Sequence, residues 1–336
     1  MPWRHTRDPY KIWLSEIILQ QTRVAQGLPY YLQFVERFPT VQDLAAANEN
    51  EVLRLWQGLG YYSRARNLHA CAKLIVTDYG GKFPANYQEL LNLKGVGPYT
   101  AAAIASFAFK RPVPVFDGNV YRVLSRIFGL FHDISTNTGR NAFFMLGAKL
   151  ISKQHPDSYN QAIMEFGALQ CTSQQPNCSD CVFHCDCFAF QKQLQKSLPI
   201  KSKKVKVTNR FFNYFIMDYK GGLLMRPRRA KDIWQGLYDF HLLETPEDQD
   251  TVSLMEQAFT YKTNRSGITL RNESKLYRHK LTHQHIHARF FHLELHDRKG
   301  FNELSARFGM NWYSHDEVRD LPKPILIDNY LKEAIF

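Results

Sequence analysis

Five of the six cysteines fall between Cys171 and Cys187, and four of them are spaced Cys171-x6-Cys178-x2-Cys181-x5-Cys187. Thiols crowded onto loops this short do not tie distant parts of a chain together as a disulfide framework does. They can, however, close round one metal centre. Cys171, Cys178, Cys181 and Cys187 are therefore candidate ligands. Soft sulfur donors suit an iron–sulfur cubane or zinc. The usual four-cysteine zinc pattern has two C-x2-C knuckles, and one knuckle occurs here. Cys185 sits between ligands and reads as a free cysteine. Cys71, in the helical run Asn67 to Val76, reads as core.

At 336 residues the chain is long enough for two domains. From Tyr10 to about Ala189 apolar residues recur at three- and four-residue intervals, as in Val41, Leu44, Ala45 and Val52, Leu55, Trp56, which predicts helices. Gly58-Leu59-Gly60, Gly80-Gly81 and Gly95-Val96-Gly97-Pro98 break the pattern. Residues 191–208 carry Lys192, Lys196, Lys201, Lys203, Lys204 and Lys206 around Pro199 and read as a basic linker. Beyond Asn209 the character changes. Phe211–Tyr219 and Leu281–Leu295 are rich in aromatic and β-branched residues and predict strands in an α+β domain. The divisions are thus 1–190, 191–208 and 209–336. A net charge of +12 and a pI near 9.3 favour an acidic partner, with nucleic acid ahead of a mere solubility effect. No run approaches the roughly 20 apolar residues that span a bilayer. The start lacks a signal-peptide core, so a cytoplasmic protein with no membrane association is expected.

Leu90 to Tyr99 reads Leu-Leu-Asn-Leu-Lys-Gly-Val-Gly-Pro-Tyr ahead of a small apolar helix, Thr100–Phe109. Gly95 and Gly97 permit a tight turn close to a phosphate, and Pro98 suits the first turn of a helix whose free N–H groups attract an anion. An ordinary helix corner has the same glycines. Trp13 to Thr22 predicts a helix apolar round most of its circumference, in which Glu16 shares a face with Ile12 and Leu19. A carboxyl so placed is either a surface group of an amphipathic helix or a desolvated acid with a raised pKa. Asp117 follows the apolar run Val113-Pro114-Val115-Phe116 and precedes a helix. An N-cap is the plain reading of such an acid.

Taken together, W-L-S-E-x-x-L-Q-Q-T, G-L-G-Y-Y-S-R-A-R-N-L, G-V-G-P-Y-T-A, D-G-N-V, N-Q-A-I-M-E-x-G-A and the 6-2-5 cysteine loop resemble the MutY family of adenine DNA glycosylases, in the endonuclease III/helix-hairpin-helix superfamily. The resemblance covers most of the chain. It implies a multidomain α and α+β fold: a helical HhH-GPD domain with a [4Fe-4S] loop, then a Nudix-like α+β domain. It implies base excision repair of adenine paired with 8-oxoguanine or guanine in double-stranded DNA. Glu16 becomes the acid that protonates adenine at N7. Asp117 stabilises or attacks the oxocarbenium-like sugar, with Asn119 supporting the pair. Adenine must be flipped out of the duplex. The resemblance puts Gln21 in the space it leaves, Tyr61 as a wedge beside the opposite base, and Trp3, Arg4 and Leu19 round the adenine. As a lone residue, Tyr61 reads equally as a core aromatic. Arg64 and Arg66 are expected on phosphates, with Gly95, Gly97 and Tyr99 in the DNA-binding hairpin. Lyase relatives carry lysine where Tyr99 stands, so a monofunctional enzyme leaving an abasic site is expected.

In the second domain His279-Lys280-Leu281-Thr282-His283 matches the loop that reads 8-oxoguanine, where Phe-Ser-His is usual. Thr282 keeps the hydroxyl and, with His283, is the expected lesion reader. The acidic Nudix motif is absent, which opposes a nucleotide pyrophosphatase. His283, His285 and His287 read as a solvated or DNA-facing strip rather than a metal site. Members of the family carry a further helix ahead of the Pro-Trp-Arg segment with which this sequence begins. A monomer in the bacterial cytoplasm, held at the nucleoid through DNA, completes the expectation. Three other readings stand beside it: an endonuclease III-like lyase, opposed by Tyr99; a catalytically dead scaffold, opposed by Glu16 with Asp117; and a Nudix hydrolase.

Overall fold

Asp8 opens the first long helix, α1 (Pro9–Ile18), by accepting the Tyr10 N–H at 2.9 Å. Ile12, Trp13, Leu14, Ile17 and Ile18 are each at most 4% exposed, and burying such a side chain contributes about 1.5–3 kcal/mol. The helix is thus held by packing on nearly every side. It ends earlier than its apolar pattern suggests. Leu19 is the C-cap and Gln21 has φ 54°, so Gln20, Gln21 and Thr22 form a turn rather than a continuation.

The computed structural model describes residues 1–202, 206–259 and 267–336; the linker lysines Lys203 and Lys204 lie outside them. It divides into two compact units, Met1–Ala46 with Asn67–Lys204, and Ala47–Arg66 with Val205–Phe336. No helix among the described residues is long and apolar enough to cross a membrane.

In chain order α2 (Val24–Arg37), α3 (Val41–Ala46), α4 (Glu49–Leu55), α5 (Ser63–Tyr79), α6 (Tyr87–Leu91), α7 (Pro98–Phe107), α8 (Gly118–Phe128), α9 (Asn137–Leu150), α10 (Pro156–Leu169) and α11 (Phe188–Gln191) follow. α4 and the first turn of α5 fall in the second unit; the other helices form the first. α7 is the centre of the first unit. Its Ala101 to Ala105 stretch is essentially solvent-free, and small side chains there let α1, α6 and α10 pack against it. α8 starts on Asp117 and stops at Gly129, which takes the left-handed conformation at φ 63°. α10 packs on α8. At Gly167 a Cβ would come within 2.7 Å of the Asn119 Cβ, so the helices approach this closely only because that position has no side chain.

The second unit is built on a mixed sheet. β1 (Thr208–Tyr219), β2 (Gly222–Pro227), β3 (Tyr238–Asp239) and β4 (His241–Thr245) precede α12 (Thr251–Ala258). After it come β5 (Ile268–Glu273), β6 (Tyr277–Lys280), β7 (Gln284–Leu295), α13 (Arg298–Phe308), β8 (Asn311–Ser314), α14 (His315–Asp320) and α15 (Ile325–Ala334). β1 and β7 run parallel from Thr208↔Gln284 to Asp218↔Glu294, and the other pairs are antiparallel. The path is β3-β2-β1-β7-β5, with β4 on β1, β6 on β7 and β8 on β2. Phe215, Met217, Phe291 and Leu293 from the central pair join Leu254 of α12 and Leu304 of α13 in one core. The expected strand Leu281–Leu295 begins only at Gln284. Leu281, Thr282 and His283 form the turn before it, closed by the Leu281 N–H donating to Gln284 O at 2.8 Å.

Candidate active site

Three short-range features aim side chains into one cavity of about 980 Å³ in the first unit. α1 contributes Glu16 from its last turn. The α6–α7 hairpin contributes Gly97, Pro98 and Tyr99. The start of α8 contributes Asp117 and Asn119. Trp3, Arg4 and Leu19, expected round a flipped base, line it together with Gln20 and Gln21.

Glu16 keeps some accessible surface, and that surface faces the cavity; everything else about the carboxyl is enclosed. Burial pushes its pKa up from 4.5 to about 7. A hydrogen bond from the Tyr99 hydroxyl and the Arg4 charge pull it back down, and the Asp117 charge adds to the rise. The Tyr99 hydroxyl is itself buried and held well above the ordinary phenol range, first by desolvation and then by Glu16. It is a neutral donor to the acid. Arg4 is tied to Glu165 at 2.8 Å, which fixes the cation at the cavity rim.

Asp117 is the N-cap of α8, as its position before a helix suggests, and it also faces the cavity. Its Oδ1 accepts the Val120 N–H at 2.8 Å, and its Oδ2 accepts the Asn119 amide at 2.8 Å. The Asn119 Oδ1 in turn accepts from Arg122 Nη2 at 2.7 Å. Arg122 donates onward to the carbonyls of Gly167 (2.6 Å) and Cys171 (2.7 Å). A continuous chain of hydrogen bonds therefore runs from the carboxylate to the cysteine loop. The stretch leading into Asp117 is pinned as well. Buried Asn160 accepts the Val115 N–H and donates to Ser106 Oγ and Val113 O, all within 2.9–3.0 Å. Arg122 and Asn160 were not singled out from sequence. Asn160 opens the Asn-Gln-Ala-Ile-Met segment, and a buried asparagine on a helix was the available signal. Gln161, next to it, lines the cavity with a side-chain amide that can meet a base edge.

The hairpin has the expected shape. Gly95 has φ +78°, and a Cβ there would meet Asn67 Cβ at 2.7 Å, so the turn requires glycine. Gly97 caps α7 with open space round it and no side-chain cap, and Pro98 stands at the first helical position.

Cys171, Cys178, Cys181 and Cys187 line one small cavity between α8, α10 and α11. Arg126 is nearly solvent-free there. It donates to Cys171 Sγ at 3.4 Å and to the Thr172 and Ser173 carbonyls, while its own carbonyl accepts from Cys187 Sγ at 3.5 Å. Cys178 is raised by burial and by the three other thiols. Among the described residues no group of three or more His, Cys, Asp or Glu side chains is placed to hold a metal ion. The four thiols line a shared void, and the Arg126 guanidinium beside them can offset anionic sulfur, a donor set whose chemistry suits a soft metal centre. Cys185 is exposed beside His184, and Cys71 is solvent-free in α5.

In the second unit the Gly58-Leu59-Gly60 turn gives Tyr61 a left-handed φ of 48°, and its ring is 43% exposed. Its hydroxyl is hydrogen-bonded to Thr282 Oγ1. Arg64 is buried on the Trp56 ring, with its guanidinium on the Leu59 and Gly60 carbonyls. Its charge holds the turn that presents Tyr61. Arg66 donates to Gln235 O at 2.5 Å. Tyr61, Ser63, Arg66, Trp234, Thr282 and His283 line a cavity of about 410 Å³. His285 and His287 stand on β7, where His287 stacks on Phe211 and meets Asn209.

Residues 14–142 match the HhH-GPD superfamily of base excision DNA repair proteins, and residues 213–333 match the NUDIX domain. A thermostable thymine-DNA glycosylase of known structure superposes with TM-score 0.53 at 32% identity, covering 57% of this chain and 88% of that one. Endonuclease III from a non-covalent DNA complex gives 0.51 at 25%, over 58% and 89%. The adenine DNA glycosylase of Buchnera aphidicola (from Schizaphis graminum) is 31% identical over 97% of this chain and 92% of its own length. The pKa-raised Glu16, the helix-capping Asp117 and the helix-hairpin-helix thus lie in the part of the sequence that matches the HhH-GPD superfamily, a NUDIX match follows it in the sequence, and the chain belongs to the adenine DNA glycosylase family of base excision repair.

Proposed function

We propose that the enzyme hydrolyses the N-glycosidic bond of adenine opposite 8-oxoguanine or guanine in duplex DNA and leaves an abasic site uncut. The observation that carries this reading is the Glu16–Tyr99–Asp117 group: a carboxyl raised to about 7, a tyrosine in place of an amine, and an oriented carboxylate. Glu16 enters protonated and gives its proton to adenine N7. The C1′–N9 bond breaks, and its electron pair leaves with the neutral base. Asp117, held by Val120 N–H and Asn119, faces the electron-poor sugar and stabilises or transiently bonds C1′. Water then adds at C1′ and returns a proton to Glu16. Tyr99 has no amine to form a Schiff base, so strand cleavage does not follow.

Cys171, Cys178, Cys181 and Cys187 would hold a [4Fe-4S] cluster, which supplies a rigid cross-link for the loop rather than chemistry at the sugar. Arg126 and Arg122 brace that loop against α8. Gly95, Gly97 and the α7 N-terminus would take a phosphate, and Gln21 would enter the gap in the duplex. Tyr61, with Thr282 and His283, would read the opposite base; the Thr282 hydroxyl supports hydrogen bonding to the lesion. In this reading residues 1–190 carry the glycosylase, 191–208 link, and 209–336 read the lesion.

The test is single-turnover cleavage of a duplex with one A:8-oxoguanine pair, split with and without hot alkali. Breaks only after alkali, lost in Glu16→Gln, are expected. Breaks without alkali would make the enzyme a lyase, and tight binding without product would make it a scaffold.

A further inference from the structure

Behind the catalytic cavity, sharing its Pro98, Tyr99 and Phe116 wall, lies a second cavity of about 910 Å³. Its far side is aromatic. Tyr87 comes from the start of α6, Tyr121 from α8 and Phe144 from α9. The Tyr87 and Phe144 rings are near parallel, at 23°, with centroids 6.4 Å apart. The mouth is polar: Gln88, Asn141 and Arg140 are exposed there. No lining residue carries a carboxylate, so nothing in the wall repels a phosphate. Arg140 spends donors on the Ile134 carbonyl and the Asn137 side chain. A guanidinium has five N–H groups, so others stay available.

We propose that this second cavity binds a nucleotide, its base against the Tyr87 and Phe144 rings and its phosphate on Arg140. Ring faces accept any base, and a guanidinium beside them selects for phosphate. The nucleotide is either a neighbour of the flipped adenine in the DNA strand or a free mononucleotide. The inference rests on the chain being a DNA glycosylase and is independent of which mispair it prefers.

The test uses the full chain and two exposed-site variants, Arg140→Ala and Asn141→Ala, with thermal melts to establish that both fold. One probe is adenosine monophosphate in equilibrium dialysis. The other is an A:8-oxoguanine duplex with 2-aminopurine beside the target adenine, whose fluorescence rises on unstacking. If the strand supplies the nucleotide, bound duplex brightens with wild type, and both variants reduce the rise about fivefold or more. If the source is free nucleotide, the monophosphate binds wild type saturably and both variants roughly tenfold more weakly, with the duplex signal unchanged. Arg140→Lys should restore part of either signal. Equal behaviour of all three proteins in both probes, or no binding and no brightening with wild type, overturns the proposal. Excision of the unlabelled duplex is followed in parallel; its absence in wild type counts against the functional reading instead.

Discussion

Glu16 sits in a helix that packing has made apolar on almost every side, and the cost of ionising there defines its chemistry. Because its pKa rises from 4.5 to about 7 on folding, the folded state binds this proton more tightly than the unfolded chain. Stability therefore falls as pH rises from about 4.5 to 7, and the deficit is complete above that window, roughly 3 kcal/mol at most. Glu16→Gln abolishes the deficit. Its melting temperature should exceed that of wild type by more at pH 8 than at pH 5, while excision falls by about 10²–10⁴-fold. A stabilised but inactive variant separates a working acid from a structural one; equal melting shifts at both pH values would contradict the buried-acid account.

At the scale of elements, α8 does two jobs with one residue. Asp117 starts the helix and faces the cavity. Asparagine caps about as well as aspartate. Asp117→Asn should therefore melt within about 0.5 kcal/mol of wild type and yet lose excision; a fully active variant would leave Asp117 as a cap alone. Arg122 extends the same helix to the cysteine loop. Arg122→Gln is expected to lower excision roughly 10–100-fold, while iron in the proposed cluster is retained because the four thiols are untouched. Unchanged single-turnover rates would disconnect the loop from Asp117. Sequence patterns made the helices and the hairpin legible, since apolar spacing and glycines report on local conformation. They did not reveal where α1 stops. No glycine or proline marks the end, and the left-handed turn falls on a glutamine, Gln21 at φ 54°. Nor did they reveal the long-range contacts of Arg122 and Arg126 with Cys171 or of Asn160 with Val115, which join residues 45 or more apart in the sequence.

At the scale of the whole molecule, the change from helical periodicity to aromatic strands after Asn209 made a second unit visible in the sequence. It could not show that residues 47–66 group with that unit, because their helical pattern is the same as their neighbours'. That grouping puts Tyr61 beside Thr282. Thr282→Ala removes a hydroxyl worth about 1 kcal/mol, and it should reduce the preference for 8-oxoguanine over guanine about fivefold in paired single-turnover assays. An unaltered ratio would remove Thr282 from lesion reading. The proposed excision needs a protonated Glu16 at neutral pH. The most direct test is the pH dependence of single-turnover adenine excision in wild type and Tyr99→Phe. Wild type should lose activity as pH rises through about 7. Tyr99→Phe removes the hydrogen bond that lowers the Glu16 pKa, so its falling limb should move to higher pH. A wild-type rate that stays flat through pH 7, or a limb that moves down in Tyr99→Phe, would contradict it.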